Sequence, residues 1–288
     1  MRRFSSDYLT DTRRGMWADR SALAPLALDS RTRILDVGCG TGELTRVLRE
    51  ETDGEVVALD ADRALLDEAD ADYRALGDAT RLPFCDDAFD LVVCQALLIN
   101  LPDPRVAIEE FARVSSDRVA CVEPDNAAVT VESSVEAESP LAKRARDTYI
   151  AGVETDVTLG SSAAALFREI GLADVESRRY EHERVVEPPY DEAALEAAKA
   201  KAAGTRIAEQ APTLRRGGLS PEAVDELKNE WRAMGRDVVE AMAAGTYERR
   251  AVVPFYVVAG QVDAVGESGE SGESDAASES DAAGEKRD

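Results

Sequence analysis

The sequence predicts a doubly wound α/β fold, and three observations carry that prediction. A short apolar run, Ile34-Leu35-Asp36-Val37, ends abruptly at Gly38, with Gly40 and Gly42 close behind. Apolar runs of strand length recur at 55–60, 89–94 and 117–124, with helical periodicity between them. Near-continuous apolar strands alternating with helices belong to a parallel sheet covered on both faces.

Taken in order, residues 33–37 form the first strand. Leu44, Val47 and Leu48 follow the glycine turn at helical spacing. Residues 55–60 make a second strand ending in Asp60, and 73–79 a third strand with its exit through Gly77-Asp78-Ala79. The fourth strand, 89–94, runs into Gln95-Ala-Leu-Leu-Ile-Asn100. Asp103 and Pro104 read as a helix cap and first-turn proline, with Val106, Ile108, Phe111 and Val114 along the helix. Residues 117–124 are the fifth strand.

Beyond Pro124 the pattern loosens into an acidic run, 131–138, and a helix over about 136–151. Ser161 or Ser162 caps a helix with Leu166, Phe167 and Ile170 inward, closed by Gly171. Residues 175–186 read as a sixth strand that places Tyr180 and His182 on one face. His182 is the only histidine, and in so charged a run it reads as exposed.

Residues 190–245 read as an inserted helical segment. It has an alanine-rich helix to about Gln210, a loop at 214–219 holding Arg215 and Arg216, and a long helix capped by Ser220-Pro221. The latter carries the stripe Val224, Leu227, Trp231, Met234, Val238 and Met242, which must pack against something. Residues 252–259 form a seventh strand, with Pro254 suiting an edge or a bulge. From 263 to 288 the chain is Gly, Ser, Ala, Glu and Asp without apolar periodicity, so disorder is expected.

What the glycine turn binds follows from its charges. A dinucleotide fingerprint needs a third glycine where this chain has Glu43, and Asp36 sits inside the strand end. A diphosphate would meet both acids, whereas a cationic ligand suits them. The pattern Asp36-x-Gly38-x-Gly40-x-Gly42 resembles the first motif of the class I S-adenosylmethionine-dependent methyltransferases, and the order of motifs from 33 to 124 resembles their core, most closely the ubiquinone/menaquinone-methyltransferase-like subgroup.

That resemblance implies a Rossmann-like seven-stranded sheet, mostly parallel, with its last strand antiparallel beside the fifth. It implies an N-terminal cover over 1–32, where Tyr8, Arg14, Met16 and Trp17 stand out, a core over 33–189, a helical substrate cover over 190–245 and a last core strand within 246–262. The implied cofactor is S-adenosyl-L-methionine. Asp36, Gly38, Cys39, Gly40 and Gln95 would sit at its methionine half. Asp60 with Ala61 would meet the ribose, and Asp78 with Ala79 the adenine. A carboxylate at the tip of strand two can accept from both ribose hydroxyls; its competing role is a helix cap. Asp78 competes similarly as a turn residue.

Relatives carry a histidine or another polar group near Ile99-Asn100. Here Gln95 and Asn100 stand there, and neither is a strong base, so base catalysis is in doubt and Asn100 and His182 are the remaining candidates. The expected acceptor is a small molecule. Transfer to RNA or protein, or cofactor binding without transfer, are the alternatives.

Composition sets the surroundings. The 288 residues carry a net charge of −24, with 29 Arg against only 5 Lys. Such a surface repels itself in dilute buffer and is screened in molar salt, where the Debye length is about 3 Å, so adaptation to high salt is expected. The same charge disfavours nucleic acid. Cys39, Cys85, Cys94 and Cys121 have no metal-ligand spacing and read as free thiols, with Cys94 and Cys121 buried in strands. No metal is expected. No run approaches the ~20 apolar residues of a membrane span. The N-terminus has no signal-like apolar core, and a cytoplasmic location is expected.

Overall fold

The computed structural model describes residues 12, 13 and 15–262. Tyr8, Arg14 and the tail from 263 onward lie outside the described residues. Strands β1 (Arg33–Val37), β2 (Glu55–Asp60), β3 (Tyr73–Leu76), β4 (Phe89–Gln95) and β5 (Ser115–Pro124) are parallel neighbours in the order β3-β2-β1-β4-β5. Helices α1 (Glu43–Glu51), α2 (Arg63–Glu68) and α3 (Pro104–Val114) connect them. Strand order reverses at β1/β4, the switch point where such sheets bind ligands at their carboxyl ends.

The far half of the sheet is antiparallel and contains one more strand than the sequence suggested. Strand β8 (Arg249–Gln261) lies beside β5 through residues 255–261 and beside a short β6 (Thr130–Ser133) through 249–252. Strand β7 (Ala173–Val186) covers its other edge. The sheet is thus eight-stranded rather than seven-stranded. The sequence hides β6 because Val131 is its only apolar residue, and pairing with β8 rather than burial creates it.

Two layers of side chains cover the sheet. One holds Leu35, Val92, Cys94 and Phe111; the other holds Ile34, Leu44, Val93, Val122 and Met16. Helix α3 buries Ala107, Ile108, Phe111 and Val114, while Val106 is exposed, because the apolar face follows the 3.6 period and omits it. Helices α4 (Glu138–Gly152) and α5 (Ala163–Ile170) follow β6. Ser162 does not cap α5: its hydroxyl donates back to Leu159 O at 3.1 Å.

Between β7 and β8 lie α6 (Glu192–Ala203), α7 (Thr205–Arg216) and α8 (Pro221–Ala243). Gly204, at φ +71°, breaks what reads as one alanine-rich helix, and α7 runs through Pro212 to Arg216, so Arg215 and Arg216 are helical rather than in a loop. The whole stripe from Val224 to Met242 is buried in its own core with Ile207, Leu214 and Tyr247. A Cβ on Gly235 would lie 2.3 Å from the Ala202 nitrogen, so α6 and α8 cross in near-backbone contact.

Candidate functional site

The turn after β1 is built by hydrogen bonds to the end of β2. The N–H groups of Gly38 and Cys39 donate to Leu59 O at 2.7 and 3.1 Å, and Gly40 N donates to Asp60 Oδ2 at 2.9 Å. Gly38, Gly40 and Gly42 all have positive φ (69°, 56° and 85°), a region that costs an L side chain energy. A Cβ on Gly38 would stand 2.8 Å from Leu97 Cδ1, and one on Gly42 2.9 Å from Ala69 Cα. The turn is therefore packed from below by Leu97 and from the side by the end of α2.

Asp60 has a fixed orientation. Its Oδ1 accepts from Asp62 N at 2.8 Å while Oδ2 holds Gly40. The helix cap is Asp62, which accepts from Ala64 N, so Asp60 is not used as a cap. Asp78 does form the turn that competes with its ligand role: Oδ1 accepts from the N–H and hydroxyl of Thr80, both at 2.8 Å, and these bonds lower its pKa. The side chain is exposed, and a carboxylate has a second oxygen to offer. Ala79 is buried behind it, near Leu82.

Asp36 is completely buried. Its Oδ2 accepts from Thr45 Oγ1 at 2.6 Å, and its Oδ1 has no partner. Burial pushes the carboxyl up to about 7; the Thr45 hydrogen bond pulls it down, Asp60 pushes it up and Arg13 pulls it down. Cys39 is buried too, and burial raises its thiol pKa. Asp36 pairs with Val93 in the ladder, so Gln95, two residues on, lies on the same sheet face.

The chain's beginning covers that face. Gln95 Nε2 donates to Met16 Sδ at 3.0 Å, the Tyr180 hydroxyl donates to Met16 O, and Trp17 stacks on Tyr180 at 5.9 Å. His182 is 1% exposed, with Nε2 3.1 Å from Thr12 O and its ring against Phe255. The expectation of an exposed histidine fails because a distant segment and β8 close over it, which no local charge pattern reveals. Burial lowers the His182 pKa, so the ring is neutral at neutral pH.

Asn100 is buried at the end of a 3₁₀ turn, Leu98–Asn100. Its Nδ2 donates to Ala96 O at 2.7 Å and its Oδ1 is unpartnered. Gln95 Oε1 and Thr41 Oγ1 are likewise buried without partners. Nothing places Asn100 and His182 together; His182 is engaged with the N-terminal segment. Sequence reasoning missed Glu123, an acid that ends the apolar run of β5 at the same carboxyl edge and is wholly buried. The same signal that singled out Asp36, a carboxylate inside a strand end, was present there.

Among the described residues no group of His, Cys, Asp and Glu has the arrangement of a metal site. Cys39, Cys94 and Cys121 are buried free thiols and Cys85 is exposed. No helix of the described residues is long and apolar enough to cross a membrane.

A family described as a methyltransferase domain matches residues 35–122, the span from β1 to β5. This segment matches that methyltransferase-domain family. The chain is 36% identical over 118 residues to a demethylmenaquinone methyltransferase of Lactiplantibacillus plantarum, covering 36% of this chain and 50% of that protein. It is 30% identical over 125 residues to the methyltransferase GfsG of Streptomyces halstedii, covering 35% and 45%. The chain spans about half the length of the curated relatives it matches. Beyond the methyltransferase domain, the fold as a whole matches solved structures assigned as methyltransferases. One from Bacillus halodurans C-125 has TM-score 0.50, 17% identity and coverage of 85% of this chain and 99% of that one. Another, from Anaeromyxobacter dehalogenans, has TM-score 0.53, 16% identity and coverage of 84% and 95%.

The cofactor of this family is S-adenosylmethionine, and the residues present fit it. The unpartnered buried oxygens of Gln95 and Asn100 only accept, as does Asp36 Oδ1 when ionised, and the Thr41 hydroxyl can accept or donate; the set suits an ammonium and a sulfonium better than a diphosphate.

Proposed function

We propose that this chain is an S-adenosylmethionine-dependent methyltransferase acting on a small molecule. One observation carries the reading: the exits of β1 and β4 hold buried oxygens on Asp36, Gln95 and Asn100 that lack donors. A buried acceptor left unpaired costs about 1–3 kcal/mol, so these atoms call for a ligand that donates. Asp60, held by Gly40 and Asp62, would accept from the ribose hydroxyls with the lone pairs those bonds leave. Asp78 and the Ala79 N–H would meet adenine. Asp36 and Gln95 would face the cationic methionine half.

When bound, the cofactor supplies an electrophilic methyl already activated by its positive sulfur. The protein then has to hold the acceptor about 3 Å from that methyl, in line, and keep water away. Neither Gln95 nor Asn100 takes a proton at neutral pH, and His182 is engaged with Thr12 O. The reading therefore favours an acceptor atom that is nucleophilic without a strong protein base. Helices α6–α8, inserted between β7 and β8, suit a cover enclosing a small acceptor, and the net charge of −24 disfavours RNA. We read the acid excess as adaptation to molar salt, and the location as cytoplasmic.

Calorimetry with S-adenosylmethionine in molar potassium chloride tests binding, and a tritiated methyl donor incubated with cell extract tests transfer. Label in a small molecule is the expected result. Label in RNA or protein would replace the acceptor class. Binding without label would leave a non-catalytic cofactor-binding protein, and absence of binding would remove the proposal.

A further inference from the structure

Glu123 has no part in the cofactor contacts above, yet it is the most heavily engaged carboxylate at this edge of the sheet. Its Oε1 accepts from Leu97 N at 2.9 Å and Leu98 N at 2.8 Å, and its Oε2 from Ile99 N at 3.5 Å. The N–H groups of Leu97 and Leu98 stand at the start of the Leu98–Asn100 turn, ahead of the turn's own carbonyls. Leu97, Leu98 and Ile99 are all buried, so water cannot take over. The Cys94 thiol also reaches Oε1, at 3.8 Å, and a carboxyl group has lone pairs enough to serve this thiol and the converging N–H groups together.

The loop so held is an unusual one. Ala96 has φ +49°, left-handed for a residue with a Cβ, and its N–H still reaches Val122 O at 2.9 Å. Asn100 is tied to the same turn twice, through its N–H to Leu97 O at 2.8 Å and its Nδ2 to Ala96 O at 2.7 Å. Leu97 in turn packs beneath the glycine turn, within 2.8 Å of where a Gly38 Cβ would stand. One carboxylate on β5 therefore determines both the direction of Asn100 and the floor under Gly38.

We propose that Glu123 is a positioning residue for methyl transfer: by gathering the N–H groups of Leu97, Leu98 and Ile99 it fixes the loop that presents Asn100 and supports the cofactor turn. Its purpose rests on the transfer reading above, whereas its mechanics rest on the contacts alone. It touches neither reacting group; it acts through Leu97 and Asn100. An apolar residue of the same size would take the acceptor away from the buried N–H groups of Leu97 and Leu98, and a shorter acid would draw the carboxyl away from them.

Hydrogen exchange of the full chain in molar potassium chloride, resolved to the peptide containing 97–99, tests it on Glu123→Ala, Glu123→Asp and Glu123→Gln, alongside calorimetry with S-adenosylmethionine. The Ala and Asp variants are expected to exchange these amides at least tenfold faster and to bind cofactor three- to tenfold more weakly. Glu123→Gln keeps an oxygen for Leu97 and Leu98 and is expected to stay within about threefold of the unchanged protein in both. If Ala fails to fold, Asp against Gln decides. Unchanged exchange in Asp and Ala, or a Gln variant that behaves like Ala, overturns the proposal. Absence of cofactor binding by the unchanged chain would sink the transfer reading, while the exchange result would still judge the anchor.

Discussion

Two buried carboxylates, Glu138 and Asp36, are treated in opposite ways by this protein. Glu138, at the start of α4, is 2% exposed and receives Lys201 Nζ at 2.5 Å, Ser133 Oγ at 2.7 Å, Tyr247 OH at 2.8 Å and Arg249 Nε at 3.1 Å. Burial pushes its pKa up, but Lys201, Ser133 and Arg249 outweigh burial and hold it low. Asp36 is as deeply buried, has one hydroxyl donor and one orphaned oxygen, and is pushed up to about 7. A saturated acid ties β6, α4, α6 and β8 into one body. The open oxygen of Asp36 is, under the proposed function, where a donor from outside completes the bonding. Burial alone distinguishes nothing, and neither does the count of donors, since Glu123 with its three N–H donors is also pushed up to about 7; the cations Lys201 and Arg249 set Glu138 apart.

The largest effect expected from this contrast is on stability. Glu138→Ala leaves Lys201 and Arg249 without their carboxylate and should cost about 3–5 kcal/mol in denaturant unfolding. Asp36→Asn, which removes a costly buried charge rather than a satisfied one, should cost far less; equal losses would erase the distinction. Next comes Asp60→Ala, which should weaken S-adenosylmethionine by about 1.5–3 kcal/mol in calorimetry, the worth of hydrogen bonds to a charged group. Unchanged affinity would take Asp60 out of the site.

A pH series sharpens the comparison further. The native Asp36 pKa lies above that of the unfolded chain, so between about 4 and 7 the unliganded native state binds the extra proton. Its contribution to stability is whole below about 4 and fades as the pH rises to about 7. A cation beside Asp36 favours the ionised form, so binding should release a proton. Cofactor affinity should then climb toward pH 7 by up to ~1.4 kcal/mol per unit and level off above it. Calorimetry in two buffers of different ionisation heat measures the proton, and Asp36→Asn should flatten the curve. The smallest effect is Asp78→Ala, about 0.5–1.5 kcal/mol in cofactor affinity, because its side chain is exposed and partly used by Thr80.

Local pattern made one half of the molecule legible. The apolar runs, the glycine turn and the stripe on α8 are periodic signals, and the strands, turn and buried face they imply are present. What escaped depends on partners remote in sequence. His182 is buried by Thr12 and Phe255, β6 exists because β8 pairs with it, and Glu123 is engaged by a loop more than twenty residues earlier. The break at Gly204 was readable in principle, since a glycine in an alanine-rich helix is a stop signal, but the run on either side masked it.

Strand β8 comes after every other described strand in sequence yet sits inside the sheet, flanked by β7 on one edge and by β5 and β6 on the other. A nascent chain leaving the ribosome must therefore hold β5 and β7 apart, each with a bare ladder of N–H and C=O groups, until residues 249–261 emerge. Chaperone demand should peak in that interval, since unpaired edges are where growing chains stick to one another. A released chain ending just before Arg249 should be protease-sensitive, and one extended through Gln261 should not.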